Sequence, residues 1–172
     1  AIIPISNEVN DELHKKSFLK MIQEIKFSNF IKDIYIVTEN NIFEQLTNDC
    51  KILKKKKFEK EPLSLVGEIS YALDQINYSG RYPDYIFYAN YDYFFRQQNL
   101  IKKLIFDICY KGKDILFVAS EEFKNIWKYD DELRVYKKAV DDLRYRNERN
   151  PLLRSLFGLG VLTKPEVIKK GK

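Results

Sequence analysis

Polar side chains able to contact a ligand are concentrated between Ala89 and Arg96, in a stretch rich in aromatic residues. Asn90 can both donate and accept hydrogen bonds, which discrimination between bases or contact with a ribose requires. Asp92 offers the oxygen ligands that divalent cations prefer. Asn and Asp are also common turn residues, so a plain turn accounts for the same composition equally well. The stretch is therefore either a binding loop or an ordinary turn.

Ser6 and Asn7 directly follow the apolar run that opens the chain. Small polar residues at the end of a buried strand can donate to a phosphate, with backbone N–H groups making most of the contacts. The alternative is an ordinary turn, which composition alone favours. Ser6 and Asn7 are therefore candidate phosphate contacts whose support has to come from other features.

Basic residues form two clusters. The arginines Arg144, Arg146, Arg149 and Arg154 lie close together near the end of the chain, and a lysine run occupies residues 54–57. Arginine suits bidentate contact with carboxylate or phosphate, but a solvated helix that also carries acidic residues explains the arginines equally well. The lysine run is typical of a solvated strand end, with attraction of a phosphate or nucleic acid as the alternative.

Several kinds of catalytic site have little support in the sequence. His14 is the only histidine, which weakens any scheme pairing a nucleophile with a histidine base. There is no Walker-type phosphate loop and no GxGxxG motif. We expect His14 to be a plain surface residue ahead of a helix. Cys50 and Cys109 are too few for a disulfide framework or a zinc site, and their apolar surroundings predict buried thiols.

Length and composition favour one folded domain spanning residues 1–172. The chain is 45% hydrophobic, and 30 basic against 25 acidic residues give a mild net charge of +5. No apolar run approaches the roughly 18 residues of a membrane span, and no signal peptide is visible, so the cytoplasm is the expected compartment. The chain begins without Met and ends straight after an apparent helix, so we expect the domain to be incomplete at both ends.

Hydrophobic periodicity predicts strands alternating with helices. The predicted strands are residues 1–5, 33–38, 50–53, 84–88, 114–119 and 155–163, and the predicted helices are residues 16–29, 40–47, 62–76, 97–110 and 165–170. Such alternation indicates right-handed crossovers and an α/β fold whose largely parallel sheet is covered on both faces. Residues 121–150 are the least regular and are interpreted as an excursion. Ligands bind such sheets at the carboxyl ends of the strands, here after Ile5, Thr38, Tyr88 and Ala119.

Short motifs of one enzyme family occur in order along the first half of the chain. Residues 2–4 (IIP) resemble the start of that family's opening strand, I-I-P-A-R, and residues 16–19 (KSFL) resemble the K-P-L-(I/L) that begins its first helix. Residues 30–39 (FIKDIYIVTE) are similar to (I/F)-x-D-(R/K)-(I/V)-(I/V)-V-S-T-D. Residues 63–73 resemble the helix whose start includes a serine near the base, here Ser64. In these motifs the chain resembles the CMP-sialic acid and CMP-KDO synthetases.

The second half continues the resemblance in the same order. Residues 90–96 line up with the family's Q-P-T-S-P-L-R, which places Asn90 at the Gln and Arg96 at the Arg. Residues 149–153 (RNPLL) resemble R-Q-x-L-P, and residues 160–162 (GVL) resemble G-A-I-Y. Each motif is short, and the preserved order along nearly the whole chain carries the resemblance.

The resemblance implies a fold and a reaction. The fold would be a three-layer α/β/α sandwich of the nucleotide-diphospho-sugar transferase (GT-A-like) type, a single nucleotidyltransferase-like domain with a mostly parallel sheet. In the reaction, a hydroxyl of an acidic sugar attacks the α-phosphate of CTP, giving a CMP-sugar and pyrophosphate, with Mg²⁺ as cofactor. Family members commonly dimerise through the late region, so a homodimer is implied.

The resemblance also assigns roles to residues. Lys16 is the candidate catalytic contact to phosphate. The candidate nucleotide contacts are Ser6, Asn7, Ser64, Asn90 and Asp92, of which Ser64 and Asn90 would face the cytosine. Arg96 and Arg149 are the candidate contacts to the acidic sugar, and the carboxylates that hold the metal are not identified.

Departures from the family pattern favour an alternative. The interval between Pro4 and Lys16 is shorter than the family's phosphate-binding signature, residues 6–11 (SNEVND) contain no glycine, and Leu159 replaces the Asn before the late glycine. The alternative is a non-catalytic relative that binds a nucleotide or a partner enzyme. A third hypothesis, a basic nucleic-acid-binding domain, is weaker because no nucleic-acid-binding motif accompanies the charge.

Overall fold

Short runs of β-branched and aromatic residues form the strands of the molecule. The computed structural model describes residues 1–5, 12–39, 50–55, 65–80, 82–93, 95–97, 99–124, 126–138, 145, 148 and 151–170. The chain divides into two compact units, one made of residues 1–118 and 157–172, the other of residues 119–156. The described strands are β1 Ile2–Pro4, β2 Tyr35–Thr38, β3 Lys51–Lys54, β4 Ile86–Tyr88, β5 Ile115–Phe117, β6 Ala119–Glu122, β7 Trp127–Asp130, β8 Val135–Lys138, β9 Leu152–Ser155 and β10 Val161–Thr163.

The first unit is built on a six-stranded sheet with the order β3-β2-β1-β4-β10-β5. Strand β1 runs parallel to β2 and β4, with Ile3 opposite Ile36, and β2 runs parallel to β3. Strand β10 is antiparallel to both β4 and β5. This arrangement confirms the predicted α/β class and its mostly parallel sheet.

Helices cover both faces of this sheet. They are α1 Glu12–Phe27, α2 Leu65–Tyr78, α3 Leu100–Lys111 and α4 Pro165–Lys169. On one face, Phe18 of α1 and Ile108 of α3 are buried against Ile3 and Phe87 of the strands. On the other face, Ile69, Leu73 and Ile76 of α2 pack with Ile2 and Val37, and Ile168 of α4 lies beside them. Successive strand residues point to opposite faces, so coverage on both sides explains why the central strands are almost uniformly apolar.

The start of α1 differs from the prediction. The helix begins at Glu12 instead of residue 16, because its first residues, ELHKK, have too few apolar side chains to show a helical period. His14 therefore lies inside the first turn of α1 and is half-buried, which corrects its interpretation as a surface residue ahead of the helix.

The predicted strand over residues 155–163 is also divided. Strand β9 ends at Ser155, a turn follows over residues 157–159, and β10 begins at Val161. Gly158 lies in that turn, and its close contacts with the loop after β4 are described below. The predicted strand over residues 114–119 is similarly divided into β5 and the start of β6.

The second unit contains regular structure where the sequence indicated little. Strand β6 pairs antiparallel with β9, and β7 pairs antiparallel with β8. Arg134 has φ 53 in the β7–β8 turn, where the backbone N–H of Leu133 donates to Asp130 Oδ1 at 3.0 Å. Apart from β7 (WKYD), these strands lack a clear apolar and polar alternation, and each is only 4 residues long, which is why periodicity did not reveal them.

Two smaller expectations have different outcomes. Cys50 is half-buried, but Cys109 is exposed, which contradicts the prediction that both thiols are buried. The helix predicted over residues 40–47 lies outside the described residues. Within the described ranges, no helix combines the length and the apolar character needed to cross a bilayer.

Candidate functional site

The strand order of the first unit defines where a ligand is expected. The chain leaves β1 through α1 to β2 on one side, whereas β4 lies on the other side of β1. In open α/β sheets, ligands bind outside the carboxyl ends of the strands where the connections diverge in this way. That point lies after Ile5 and Tyr88, so the residues following β1 and β4 form the candidate site.

The loop after β4 places Asn90 and Asp92 together at this edge. Asn90 Nδ2 donates to Asp92 Oδ2 at 2.9 Å, and the backbone N–H of Asp92 donates to Asn90 Oδ1 at 3.2 Å. This reciprocal pair is an Asx-type turn. Asp92 is exposed and Asn90 is partly exposed, so both side chains remain accessible. The turn and the binding loop offered as alternatives by the sequence are therefore compatible.

The buried side chain of Arg96 fixes the shape of the loop after β4. The side chain is only 3% exposed. The guanidinium donates to the carbonyl oxygens of Asn90 at 2.5 Å, Tyr93 at 3.0 Å, Leu159 at 3.0 Å and Gly158 at 3.3 Å. Bridging four carbonyls uses the planar fork of donors that distinguishes Arg from Lys. Arg96 therefore holds the loop after β4 against the turn before β10.

Burial lowers the pKa of Arg96 from its ordinary value, and the negative charge of Glu24 acts in the opposite direction. Glu24 Oε2 lies 3.8 Å from Arg96 Nη1 and is buried without a hydrogen-bond partner among the described residues. Both groups border a cavity of about 400 Å³ between α1 and the start of α3. Glu24 is thus the counter-charge of the buried guanidinium.

Gly158 is packed directly against the same loop. The backbone N–H of Asn90 donates to the Gly158 carbonyl at 2.7 Å. A Cβ at position 158 would lie 2.4 Å from Tyr93 Cε2 and 3.0 Å from Asn90 Cβ. Only glycine fits this space without moving the loop. The turn before β10 therefore requires its glycine because of a close approach.

Helix α1 supports the loop from one side of the sheet. Ser17 Oγ donates to the carbonyl oxygen of Tyr91, and both residues are buried. The His14 ring meets the Tyr91 ring edge-on, with centroids 5.8 Å apart. Lys16, the predicted catalytic residue, lies between His14 and Ser17 in the sequence, and its side chain is exposed on α1.

On the other side of the sheet, Tyr88 of β4 lies near Glu68 of α2. The Tyr88 side chain is buried at the end of β4. Burial, and then the negative charges of Asp92 and Glu68, raise the pKa of Tyr88 to about 12. A tyrosine hydroxyl is protonated at neutral pH with or without this shift, so Tyr88 can donate a hydrogen bond. Glu68 itself pairs with Lys55.

Some of the predicted site residues lie close together, and others are outside the residues that the structure describes. Asn90, Asp92 and Arg96 lie in one loop, and Lys16 lies on the neighbouring helix. Ser6, Asn7, Ser64 and Arg149 lie outside the described residues. Sequence reasoning missed Tyr88, Glu68 and the loop contact of His14. Position at the carboxyl end of β4 was a signal for Tyr88, but nothing local marks Glu68.

A larger cavity of about 620 Å³ lies elsewhere. Its lining includes Asp33, Tyr35 and Tyr85, which are at the amino ends of β2 and β4. Parallel α/β sheets bind ligands at the opposite edge, so topology is a better guide here than volume.

Comparison with solved structures gives the class of fold. The chain matches the bifunctional IspDF from Campylobacter jejuni with a TM-score of 0.63 and 12% identity, over 98% of this chain and 41% of that chain. It matches 2-C-methyl-D-erythritol 4-phosphate cytidylyltransferase (IspD) from Francisella tularensis with a TM-score of 0.65 and 14% identity, over 98% of this chain and 73% of that chain.

A CMP:2-keto-3-deoxy-manno-octonic acid synthetase complexed with CTP matches with a TM-score of 0.61 and 9% identity, over 99% of this chain and 75% of that chain. No protein-family model matches the chain, and no curated protein matches it in sequence. The chain has the α/β fold of the nucleotide-diphospho-sugar transferase-like cytidylyltransferases. It spans well under half the length of the bifunctional protein and about three quarters of the length of the other two.

Proposed function

We propose that this chain is a cytidylyltransferase that joins CTP to an acidic sugar, forming a CMP-sugar and releasing pyrophosphate. The observation that carries the proposal is the accessible Asn90–Asp92 pair at the β1–β4 divergence, in a fold shared with cytidylyltransferases. The neighbour complexed with CTP supports the choice of nucleotide. Cytoplasmic location and homodimerisation belong to the same proposal.

The loop after β4 would hold the nucleoside. Asn90 presents an amide that can pair with both donors and acceptors on a pyrimidine edge. The hydroxyl of Tyr88, at the carboxyl end of β4, would supply a further donor. Asp92 would accept from a ribose hydroxyl or share a cation with the phosphates. Arg96 would act as a positioning residue, since its donors are engaged by the backbone carbonyls of this loop.

Asp92 fits the magnesium ion that the proposal includes. Among the described residues, no group of three or more His, Cys, Asp or Glu side chains forms a closed metal site. Magnesium at nucleotide sites is commonly held by one or two carboxylates together with substrate phosphates, and an exposed Asp92 meets that requirement. When bound, the ion would neutralise charge on the phosphates during transfer.

The remaining roles follow the resemblance and concern positioning. Lys16, Ser6 and Asn7 would hold the phosphates, Ser64 would face the cytosine, and Arg149 would bind the sugar carboxylate. The attacking hydroxyl and the α-phosphate would be brought together by these contacts. Holding two reactants in a reactive geometry is itself a large source of rate enhancement.

A second candidate is a non-catalytic relative that binds a nucleotide or a partner enzyme. The specific observation in its favour is Arg96, because the residue that would contact the sugar is 3% exposed and bonded to backbone carbonyls. Under this alternative, the loop after β4 would bind a nucleotide without catalysing its reaction.

Pyrophosphate release separates the two candidates. The protein is incubated with CTP, magnesium and a panel of acidic sugars, and pyrophosphate is measured with and without each sugar. Sugar-dependent release supports the transferase. Nucleotide binding without release on any sugar supports the non-catalytic relative.

Variants make this assay specific to the proposed site. Asp92→Asn should reduce the rate by about tenfold or more, because it removes a carboxylate that the proposal places against cation and ribose. Asp74→Asn is the matched control, since Asp74 is exposed on α2. Equal rates for Asp92→Asn and the wild-type protein would remove Asp92 from the proposed site.

A further inference from the structure

The Lys55 side chain places its ammonium group at the end of β1, although Lys55 itself follows a different strand. It directly follows β3, and its backbone N–H donates to the Thr38 carbonyl at 3.1 Å, which continues the β2–β3 pairing. Its Nζ donates to the Ile5 carbonyl at 3.3 Å. The side chain thus crosses the end of β2 and places its charge where the segment after β1 begins.

This charge is held in a defined position. Lys55 Nζ is paired with a Glu68 carboxylate oxygen, and the two side chains are only 12% and 16% exposed. Glu68 lies in the first turn of α2, so the pair joins β3, the end of β1 and α2. An ammonium has three donors, and the described residues occupy two of them, the Glu68 carboxylate and the Ile5 carbonyl.

The sequence after β1 gives this cation a role. Residues 6–11 (SNEVND) contain neither glycine nor lysine, so backbone approach and a local cation are not supplied there by the usual residue types. Lysine is a compact point charge that commonly binds phosphate. Low exposure strengthens its interaction with a charged group, since screening by water is reduced.

We infer that the Lys55 ammonium contacts the phosphates of the bound nucleotide and that Glu68 is its counter-charge. The inference rests on the proposed function, because it requires a nucleotide at the β1–β4 divergence. It selects the phosphate interpretation of one residue in the 54–57 lysine run. It also gives the two partners opposite effects on a triphosphate, since Glu68 adds negative charge near the phosphates.

A series of cytidine compounds tests the inference. Binding of CTP, CDP, CMP and cytidine with magnesium is measured by calorimetry for the wild-type protein, Lys55→Met and Glu68→Gln. Lys55→Met should weaken the binding of CTP by about tenfold or more and leave the binding of cytidine within about twofold of wild type. The reason is that, among the contacts to the ligand, only the charged hydrogen bond to phosphate is lost. Glu68→Gln should leave CTP binding equal or tighter.

Two further variants separate binding from folding. Lys55→Met leaves Glu68 with little exposure and no partner, so the double variant Lys55→Met/Glu68→Gln is measured beside it and should show the same selective loss of CTP. Lys51→Met is the matched control, since Lys51 is the first residue of β3, at the end of the strand opposite to Lys55, and it pairs with Asp33, 2.6 Å away. It should leave the whole series unchanged.

The outcomes distinguish this inference from the proposed function. No binding of any nucleotide by the wild-type protein overturns the proposed function, and with it the inference. Binding of CTP by the wild-type protein, with CTP and cytidine weakened equally in the double variant, overturns the inference alone and makes the pair structural. A loss that grows with the number of phosphates supports the inference.

Discussion

Arg96 shows how a residue type can be identified from sequence while its role is not. The guanidinium was predicted as a contact to an acidic substrate, and arginine is well suited to that. In the structure its partners are carbonyl oxygens, two of them 62 and 63 residues further along the chain. Backbone acceptors carry no sequence signature, so no sequence pattern near Arg96 predicts that its guanidinium points into the protein.

Replacing Arg96 tests whether it holds the loop. Arg96→Lys retains the charge but cannot reach four carbonyls, so we expect unfolding free energy to fall by about 2–4 kcal/mol. Urea unfolding measures the change. Arg154→Lys, at an exposed position of β9, is the control and should stay within about 0.5 kcal/mol. Equal urea midpoints for Arg96→Lys and the wild-type protein would contradict the assigned role.

Gly158 offers a steric test of the same loop. Gly158→Ala would place a methyl group 2.4 Å from the Tyr93 ring, so the ring and Asn90 must move. We expect about 1–3 kcal/mol of destabilisation together with weaker CTP binding. Calorimetry and thermal unfolding measure the two effects.

Gly112→Ala is the comparison for Gly158. Gly112 ends α3 with φ 58, and a Cβ there would meet nothing within 4 Å. This variant should lose stability through its left-handed backbone but bind CTP normally. Unchanged CTP binding in Gly158→Ala would show that the turn before β10 does not shape the site.

At the scale of single residues, the sequence identified the groups that stand out from their neighbours. Asn90 and Asp92 were visible because they interrupt an aromatic stretch, and the structure places them at the expected edge. The Lys55–Glu68 pair was not predicted because its members lie 13 residues apart, and only the fold brings β3 and α2 together.

At the scale of elements, periodicity predicted the central strands and the helices that cover them. Strands β1, β2 and β4 are short and apolar because both faces are buried, and that pattern is visible in the sequence. The helix predicted over residues 97–110 corresponds to α3, which ends at Gly112. The second unit was missed because exposed antiparallel strands need no apolar face.

The edge element β5 is tied to the start of α4 by an ion pair. Asp114 Oδ1 lies 2.7 Å from Lys164 Nζ, and the Lys164 backbone N–H donates to the Asp114 carbonyl at 2.8 Å. The hydrogen bond from Lys164 lowers the pKa of Asp114, and the same bond raises the pKa of Lys164. The pair therefore stabilises the folded state while both groups are charged.

This pair predicts a pH-dependent difference between wild type and Asp114→Asn. Because the pKa of Asp114 is lowered on folding, its contribution is present above about pH 4 and is lost as pH falls through the folded-state pKa. The contribution linked to Lys164 is lost only as pH rises through its raised pKa. The wild-type protein should have a higher free energy of unfolding in urea than Asp114→Asn near neutral pH. This difference should disappear in acid.

Lys164→Met provides the control background for this measurement. Once the partner is removed, the pH-dependent effect of Asp114→Asn should shrink to the smaller contribution of Lys170 and Lys113, whose charges also lower the pKa of Asp114. A difference that persists unchanged in acid, or that is undiminished in the Lys164→Met background, would show that the effect of Asp114 does not come from this ion pair.

At the scale of the whole molecule, fold and function have different support. The fold matches cytidylyltransferase structures over 95–99% of the chain, although identity is only 8–14%. Such a match shows shared architecture, and one architecture can host several chemistries. The assignment of function therefore depends on the loop after β4 and on the charges around it. Which nucleotide that loop binds is the property that tests the proposal.

Calorimetric titration of the protein with CTP, UTP, ATP and GTP in the presence of magnesium is the most direct test. The proposed cytidylyltransferase should bind CTP in preference to the other three, because the proposal assigns the amide of Asn90 to the pyrimidine edge. Preferential binding of a different nucleotide, or binding of none, would contradict the proposed function.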